Sequence, residues 1–130
     1  MKLTQQTDYS LRVLLFLAGD GASHTIGEIA EYFGISKNHL VKVTHRLTQL
    51  GYVESIRGRM GGIRLLMKPE DIVVGEVVRH MEPNFHLVEC FDMETNTCPI
   101  VGACGLKGVL GSALGAFNAH LDQYTLADFI

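Results

Sequence analysis

The apolar residues of the first fifty positions keep a helical period. Leu11, Leu14, Leu15 and Ala18 recur at i, i+3, i+4 and i+7, which predicts a first helix from about Thr7 or Asp8 to Gly19, with Asp20-Gly21 as its exit turn. Asp8 then reads as an N-cap or first-turn acid facing the positive end of the helix. Thr25-x-x-Glu28 is a capping box that opens a short second helix running to Phe33, and Gly34 suits a left-handed C-cap. Ser36 caps a third helix that extends to Leu50 before Gly51, with Leu40, Val43, Leu47 and Leu50 as its inner stripe. Lys37, Asn38, His39 and Lys42 fall on its N-terminal and outer surface. Two helices joined by a Gly-x-Ser turn make a helix-turn-helix.

The period then changes to two. Residues 52–57 alternate as a strand does, residues 63–67 do so more loosely, and Gly58-Arg59-Met60-Gly61-Gly62 joins them as a hairpin. A basic, glycine-rich hairpin directly after the outer helix reads as the wing of a winged helix. Arg57 and Arg59 at its tip suit a narrow minor groove, while Gly61 and Gly62 allow close backbone approach to phosphate. A nucleotide-binding loop is the competing reading, and it fails because the segment lacks Gly-Lys-Ser/Thr and leads into a strand.

Pro69 opens a helical element on Ile72, Val73, Val77, Val78 and Met81 that closes near Glu82-Pro83. Residues 84–103 read as loop. Leu106, Val109, Leu110, Ala113, Leu114, Phe117 and Leu121 then trace a helix as far as Tyr124. Its glycines at 105, 108, 111 and 115 weaken it but let another helix come close. A dimer helix is the reading favoured over an intramolecular one, because helix-turn-helix proteins bind paired half-sites. Residues 125–130 look like a newly capped segment, so the natural chain is expected to continue. The fold class expected is mainly α with a small β-hairpin wing: a winged helix-turn-helix DNA-binding domain over 1–82, a cysteine-rich loop over 83–104, and a dimerisation helix with its C-terminal segment over 105–130.

Charge sharpens this picture. The net charge is −3, yet residues 1–68 hold nine Lys and Arg against five Asp and Glu, net +4, while residues 69–130 hold two against nine, net −7. Lys37, Lys42, Arg46, Arg57, Arg59, Arg64 and Lys68 share their stretch with Glu54 alone, which suggests a polyanion-binding face. The longest apolar run, residues 13–18, is far too short to span a bilayer, so a soluble cytoplasmic protein with no membrane partner is expected. No Ser/His/Asp or paired-carboxylate constellation calls for catalysis, and the chain is not expected to be an enzyme.

All three cysteines, Cys90, Cys98 and Cys104, lie within the loop and its junction with the long helix. Core packing scatters cysteines, so this concentration points to a metal or iron–sulfur site. Three alternatives stay open on spacing alone: a thiol redox switch, a disulfide with a spare thiol, and structural zinc. A cluster-bearing electron carrier is the rival from another functional class.

The order T-D-Y-x-L-R-x-L-x-x-L-A, G-I-S-K-N-H-L-V-K-V, R-G-R-x-G-G-I-R-L, the three-cysteine loop, C-G-L-K and Y-T-L-A-D resembles the NsrR-type nitric-oxide-sensing repressors, which share a winged-helix, iron–sulfur family with IscR. The resemblance covers essentially the whole chain. It implies a homodimer that binds a palindromic double-stranded DNA operator. It also implies a cluster on Cys90, Cys98 and Cys104, with 4Fe-4S favoured over 2Fe-2S, whose reaction with nitric oxide releases DNA and derepresses NO-detoxification genes. IscR-like members use a histidine three residues after the last cysteine, where this chain has Lys107. Asp8, from the partner subunit, matches the acid used by some NO-sensing relatives, with His86 and Glu89 as fallbacks by proximity. An iron–sulfur or thiol regulator of cluster assembly or cysteine metabolism is the alternative within the family. DNA contacts are expected from Ser36, Lys37, Asn38, His39 and Lys42 on the outer helix, to major-groove bases or flanking phosphates, and from Arg57, Arg59, Gly61 and Gly62 on the wing.

Overall fold

The computed structural model describes residues 1–59 and 61–130; Met60, in the expected hairpin turn, lies outside the described residues. The chain builds α1 (Gln5–Asp20), α2 (Ile26–Phe33), α3 (Lys37–Gln49), β1 (Val53–Ile56), β2 (Gly62–Leu65), α4 (Val74–Met81) and α5 (Gly105–Leu121). The strands pair antiparallel from Val53 opposite Leu65 to Ile56 opposite Gly62. The mainly α winged helix expected from the sequence is therefore present.

Its core follows from the periodicity. Val13, Leu14, Leu17, Ile29, Leu40, Val43, Leu47, Val53 and Ile63 are buried together, so α1, the two helices of the helix-turn-helix and the hairpin share one interior. Thr25 accepts a hydrogen bond from the Glu28 amide at 3.0 Å, as a capping box requires, but the Glu28 carboxylate turns to His24 Nδ1 at 2.9 Å. Gly34 takes the left-handed cap at φ 65°.

Three boundaries move. The first helix begins at Gln5, not at Thr7 or Asp8, because Thr4 is its N-cap and accepts from the Thr7 amide at 3.3 Å. The element expected from Pro69 splits into a 3₁₀ turn, Pro69–Asp71, and α4. Between them Ile72 and Val73 are extended: Leu126 N donates to Ile72 O at 3.1 Å and Val74 N to Tyr124 O at 2.9 Å. The long helix stops at Leu121, and a 3₁₀ turn, Leu126–Phe129, follows with a full Thr125/Asp128 capping box. Leu126, 1% exposed, thereby joins the winged-helix core.

Asp122 fixes the far end of α5 to α4. It pairs with Arg79 at 2.8 Å, and it sits so close to Gly75 that a Cβ there would lie 1.9 Å from Asp122 Oδ1. No residue of α5 is buried within the chain.

Candidate nucleic-acid interface and thiol site

The face of α3 is set by which residues the core takes. Leu40, Val43, Thr44 and Leu47 point inward. Helical geometry then leaves Asn38, Val41, Lys42, His45 and Gln49 on the outer stripe, with Lys37 and Arg46 flanking it, all exposed. Ser36 holds the N-cap position but makes no side-chain cap bond, so its hydroxyl is not committed to the helix. His39 is drawn sideways toward α1, its ring 5.7 Å from that of Tyr9 in an edge contact. Gln5, Gln6, Tyr9, His39 and Lys42 line one small cavity of about 180 Å³, so the start of α1 borders the outer face of α3.

The wing lies beside this helix. Arg57 and Arg59 are exposed at its tip. Lys37, Arg59, Gly61 and Gly62 share with Gly27 and Ser55 a cavity of about 580 Å³ between the hairpin and the start of α2. Both glycines are also required inside the chain. A Cβ on Gly61 would meet Ile56 O at 2.4 Å, and one on Gly62, at φ 148°, would meet His24 O at 2.3 Å. The latter contact exists because His24 and Ile63 exchange backbone hydrogen bonds of 2.9 and 2.8 Å, which dock the wing on the α1–α2 loop.

The three cysteines are free and half-buried. Cys90 sits in a 3₁₀ turn, Glu89–Phe91; the Cys98 amide donates to Asn96 Oδ1 at 3.1 Å; Cys104 occupies the N-cap position of α5 without a side-chain cap bond. The loop is shaped by its own side chains. Glu89 accepts from the Thr97 amide at 3.2 Å, and Asn84 and Asp92 each accept from the amide two residues on. Cys104 shares with His86, Phe85, Phe91 and Lys107 a cavity of about 590 Å³.

Asp8 lies elsewhere. Its carboxylate takes two bonds from Arg12, Nε at 3.0 Å and Nη2 at 2.9 Å, and Arg12 in turn stacks over Tyr9 and Phe33 at 5.4 and 5.9 Å. Among the described residues no three His, Cys, Asp or Glu side chains converge closely enough to hold a metal ion, so one chain does not gather the thiols and Asp8. The donor chemistry nonetheless suits a thiophilic iron group: three uncommitted thiols on one segment, one short of the customary four ligands.

Sequence reasoning missed Glu82. Its carboxylate accepts from Thr4 N at 3.0 Å, from Thr4 Oγ1 at 2.6 Å and from Thr7 Oγ1, which staples the start of α1 to the root of the cysteine loop. Burial pushes its carboxyl up, and the three donors together pull it further down, to below the ordinary carboxylate range. Contact across 75 residues and more leaves no local signal. Arg12 could have been found, since Asp8 and Arg12 stand at i, i+4.

A family model described as Rrf2, iron-dependent transcriptional regulator, matches residues 3–130. The HTH-type transcriptional regulator NsrR of Bacillus subtilis strain 168 is 61% identical over 132 residues, covering 100% of this chain and 90% of that protein. Among solved structures, T. potens IscR superposes with a TM-score of 0.78 at 27% identity, over 99% of this chain and 85% of the other. The global cysteine regulator CymR of B. subtilis does so with a TM-score of 0.73 at 26% identity, over 99% and 95%. No helix among the described residues is long and apolar enough to cross a membrane. With its winged helix, basic outer face and three free thiols, the chain belongs to the Rrf2 family of iron-dependent transcriptional regulators.

Proposed function

We propose that this regulator is a homodimeric repressor that senses nitric oxide through an iron–sulfur cluster, four-iron in preference to two-iron, held by Cys90, Cys98 and Cys104 with Asp8 of the partner subunit as fourth ligand. The observation that carries the reading is the place of the thiols. All three are free on the segment that joins the winged-helix core to α5, a helix with no fully buried residue in its own chain. The resemblance to NsrR supplies the signal. Bound there, the cluster supplies iron that nitric oxide attacks.

The protein's own residues do the rest. Cys90, Cys98 and Cys104, once joined through the cluster, would tie the middle of the loop to the start of α5. Arg12 competes for the Asp8 carboxylate, so Asp8 has two alternative partners, a requirement for any two-state element. Glu82 keeps the start of α1 in register with the loop root, so that a change in the loop is felt by the helix bordering α3. Lys37, Asn38, Lys42, His39 and Ser36 meet the major groove and its phosphates, and Arg57 and Arg59, with Gly61 and Gly62 at the wing base, meet the neighbouring backbone or minor groove.

The test is anaerobic purification with a visible spectrum and iron and sulfide analysis, then titration with nitric oxide while DNA retention is followed. A coloured protein that releases DNA on titration is expected. A colourless protein whose DNA binding ignores nitric oxide defeats the proposal. Asp8→Ala should alter the cluster's spectrum and its response to nitric oxide; an unchanged spectrum and response removes Asp8 from the ligand set.

A further inference from the structure

Val41 is the one large apolar residue exposed on α3, with 45% of its surface open to solvent. It stands one turn from Lys37 and one turn from His45, on the ridge beside Asn38 and Lys42. Nothing within the chain accounts for it: the core stripe of this helix is complete with Leu40, Val43, Thr44 and Leu47, and Val41 is neither in the core cluster nor packed against it. A β-branched residue on an exposed helix position is also a poorer helix former than the lysines and arginine around it, because χ1 freedom is lost against the preceding turn. An isolated surface valine is unremarkable in general. At the centre of a cationic ridge read as DNA-facing, it has a specific partner. The major groove offers one exposed apolar group, the C5-methyl of thymine, and every other base edge there presents donors or acceptors.

We infer that Val41 is a specificity-determining residue that reads the C5-methyl group of a thymine in the major groove. The inference rests on the DNA-binding reading above and adds to it a base identity. Lys37 and Lys42 hold phosphates on either side, which fixes the helix in the groove without reading sequence. Val41 then touches the methyl group. Cytosine at that position carries only a hydrogen at C5 and offers Val41 no methyl, as does uracil, so thymine is preferred over both.

The probe is the duplex that the protein itself enriches from a random-sequence pool. Each thymine is replaced in turn by uracil, which removes the methyl and leaves base pairing unchanged. The wild-type protein should lose about fourfold in affinity at one thymine or its symmetric mate, the effect of one buried methyl-sized group. Val41→Ala should lose a similar factor on the thymine duplex and nothing further on the uracil duplex. Its salt dependence should stay as in the wild type, whereas Lys42→Ala should flatten the slope of log K against log salt by about 0.9. Alanine at an exposed helical position improves helix propensity, and circular dichroism will show the variant folded. If Val41→Ala keeps the wild-type ratio between the two duplexes at every thymine, the contact does not exist. If the wild-type protein enriches no duplex, the DNA-binding reading itself fails and takes the inference with it.

Discussion

His24 holds two carboxylates at once, with Nδ1 at 2.9 Å from Glu28 and Nε2 at 2.8 Å from Asp20. Its ring also lies edge-on to Phe16 at 4.9 Å, and its backbone carries the bridge to the wing. One residue therefore ties the end of α1, the start of α2 and the hairpin together. The hydrogen bond to Glu28 raises the imidazole above its ordinary 6.5 against the opposing effect of burial, and Asp20 adds to the rise. A raised folded pKa means that the stabilisation is complete below about 6.5 and is lost as pH rises through the folded value. The carboxylates run the other way. Asp20, held down first by the Ala22 amide and then by His24, and Glu28, held down first by His24, lose their contribution only as pH falls through their lowered values in acid. The denaturation midpoint should therefore decline as pH is raised from about 6.5 through neutrality, and His24→Gln should be less stable in mild acid and nearly flat across the same range. The same decline in both proteins would place its origin in another group.

Elements whose ends are capped by neighbours in sequence were legible; those whose ends are set by distant contacts were not. Thr25, Gly34 and Gly51 mark the helix-turn-helix in the sequence and do so in the structure, with Gly34 and Gly51 at φ 65° and 82°. The start of α1 departs from this rule in part: Thr4 caps it locally through the Thr7 amide, but the apolar stripe begins only at Leu11, and the bonds from Thr4 to Glu82 have no local signal. The pairing of Ile72 and Val73 with residues 124–126, which splits the stretch from Pro69, likewise leaves no trace in local periodicity. At the site, residue types are readable from the sequence but directions are not: His39 leans on Tyr9, and Val41, apolar yet outside the inner stripe, is exposed. Gly62 shows the same limit. Read as an approach point for phosphate, it also serves the docking of the wing on His24. Gly62→Ala should cost about 2–3 kcal/mol in urea denaturation, from positive φ together with the clash against His24 O. Gly58→Ala, at φ 103° with open space around its Cβ position, should cost about 1 kcal/mol. Equal losses would mean that the wing docks without the close contact.

At the scale of the whole molecule the unresolved demand is the surface of α5. Leu106 and Val109 are 61% and 64% exposed, no residue of the helix is buried by its own chain, and Gly108, Gly111 and Gly115 have open space around them. A helix apolar on so much of its surface needs a partner to exclude water, and its glycines permit a close crossing. A second copy meets this demand and also the symmetry of paired half-sites, since α5 is tied to α4 by the Arg79–Asp122 pair and α4 packs on α1. The crossing of two α5 helices would then set the distance between the two recognition helices. A charge placed in that crossing should break it, because a carboxylate buried without a partner costs several kcal/mol. Val109→Asp is therefore expected to sediment as a folded monomer where the wild type sediments as a dimer. Binding to a duplex with two half-sites should fall steeply, while binding to a single half-site changes little. A Val109→Asp protein that remains dimeric would move the subunit contact off this face of α5, and a monomeric wild type would remove the dimer from the proposed mechanism together with the partner subunit's contribution to the thiol site.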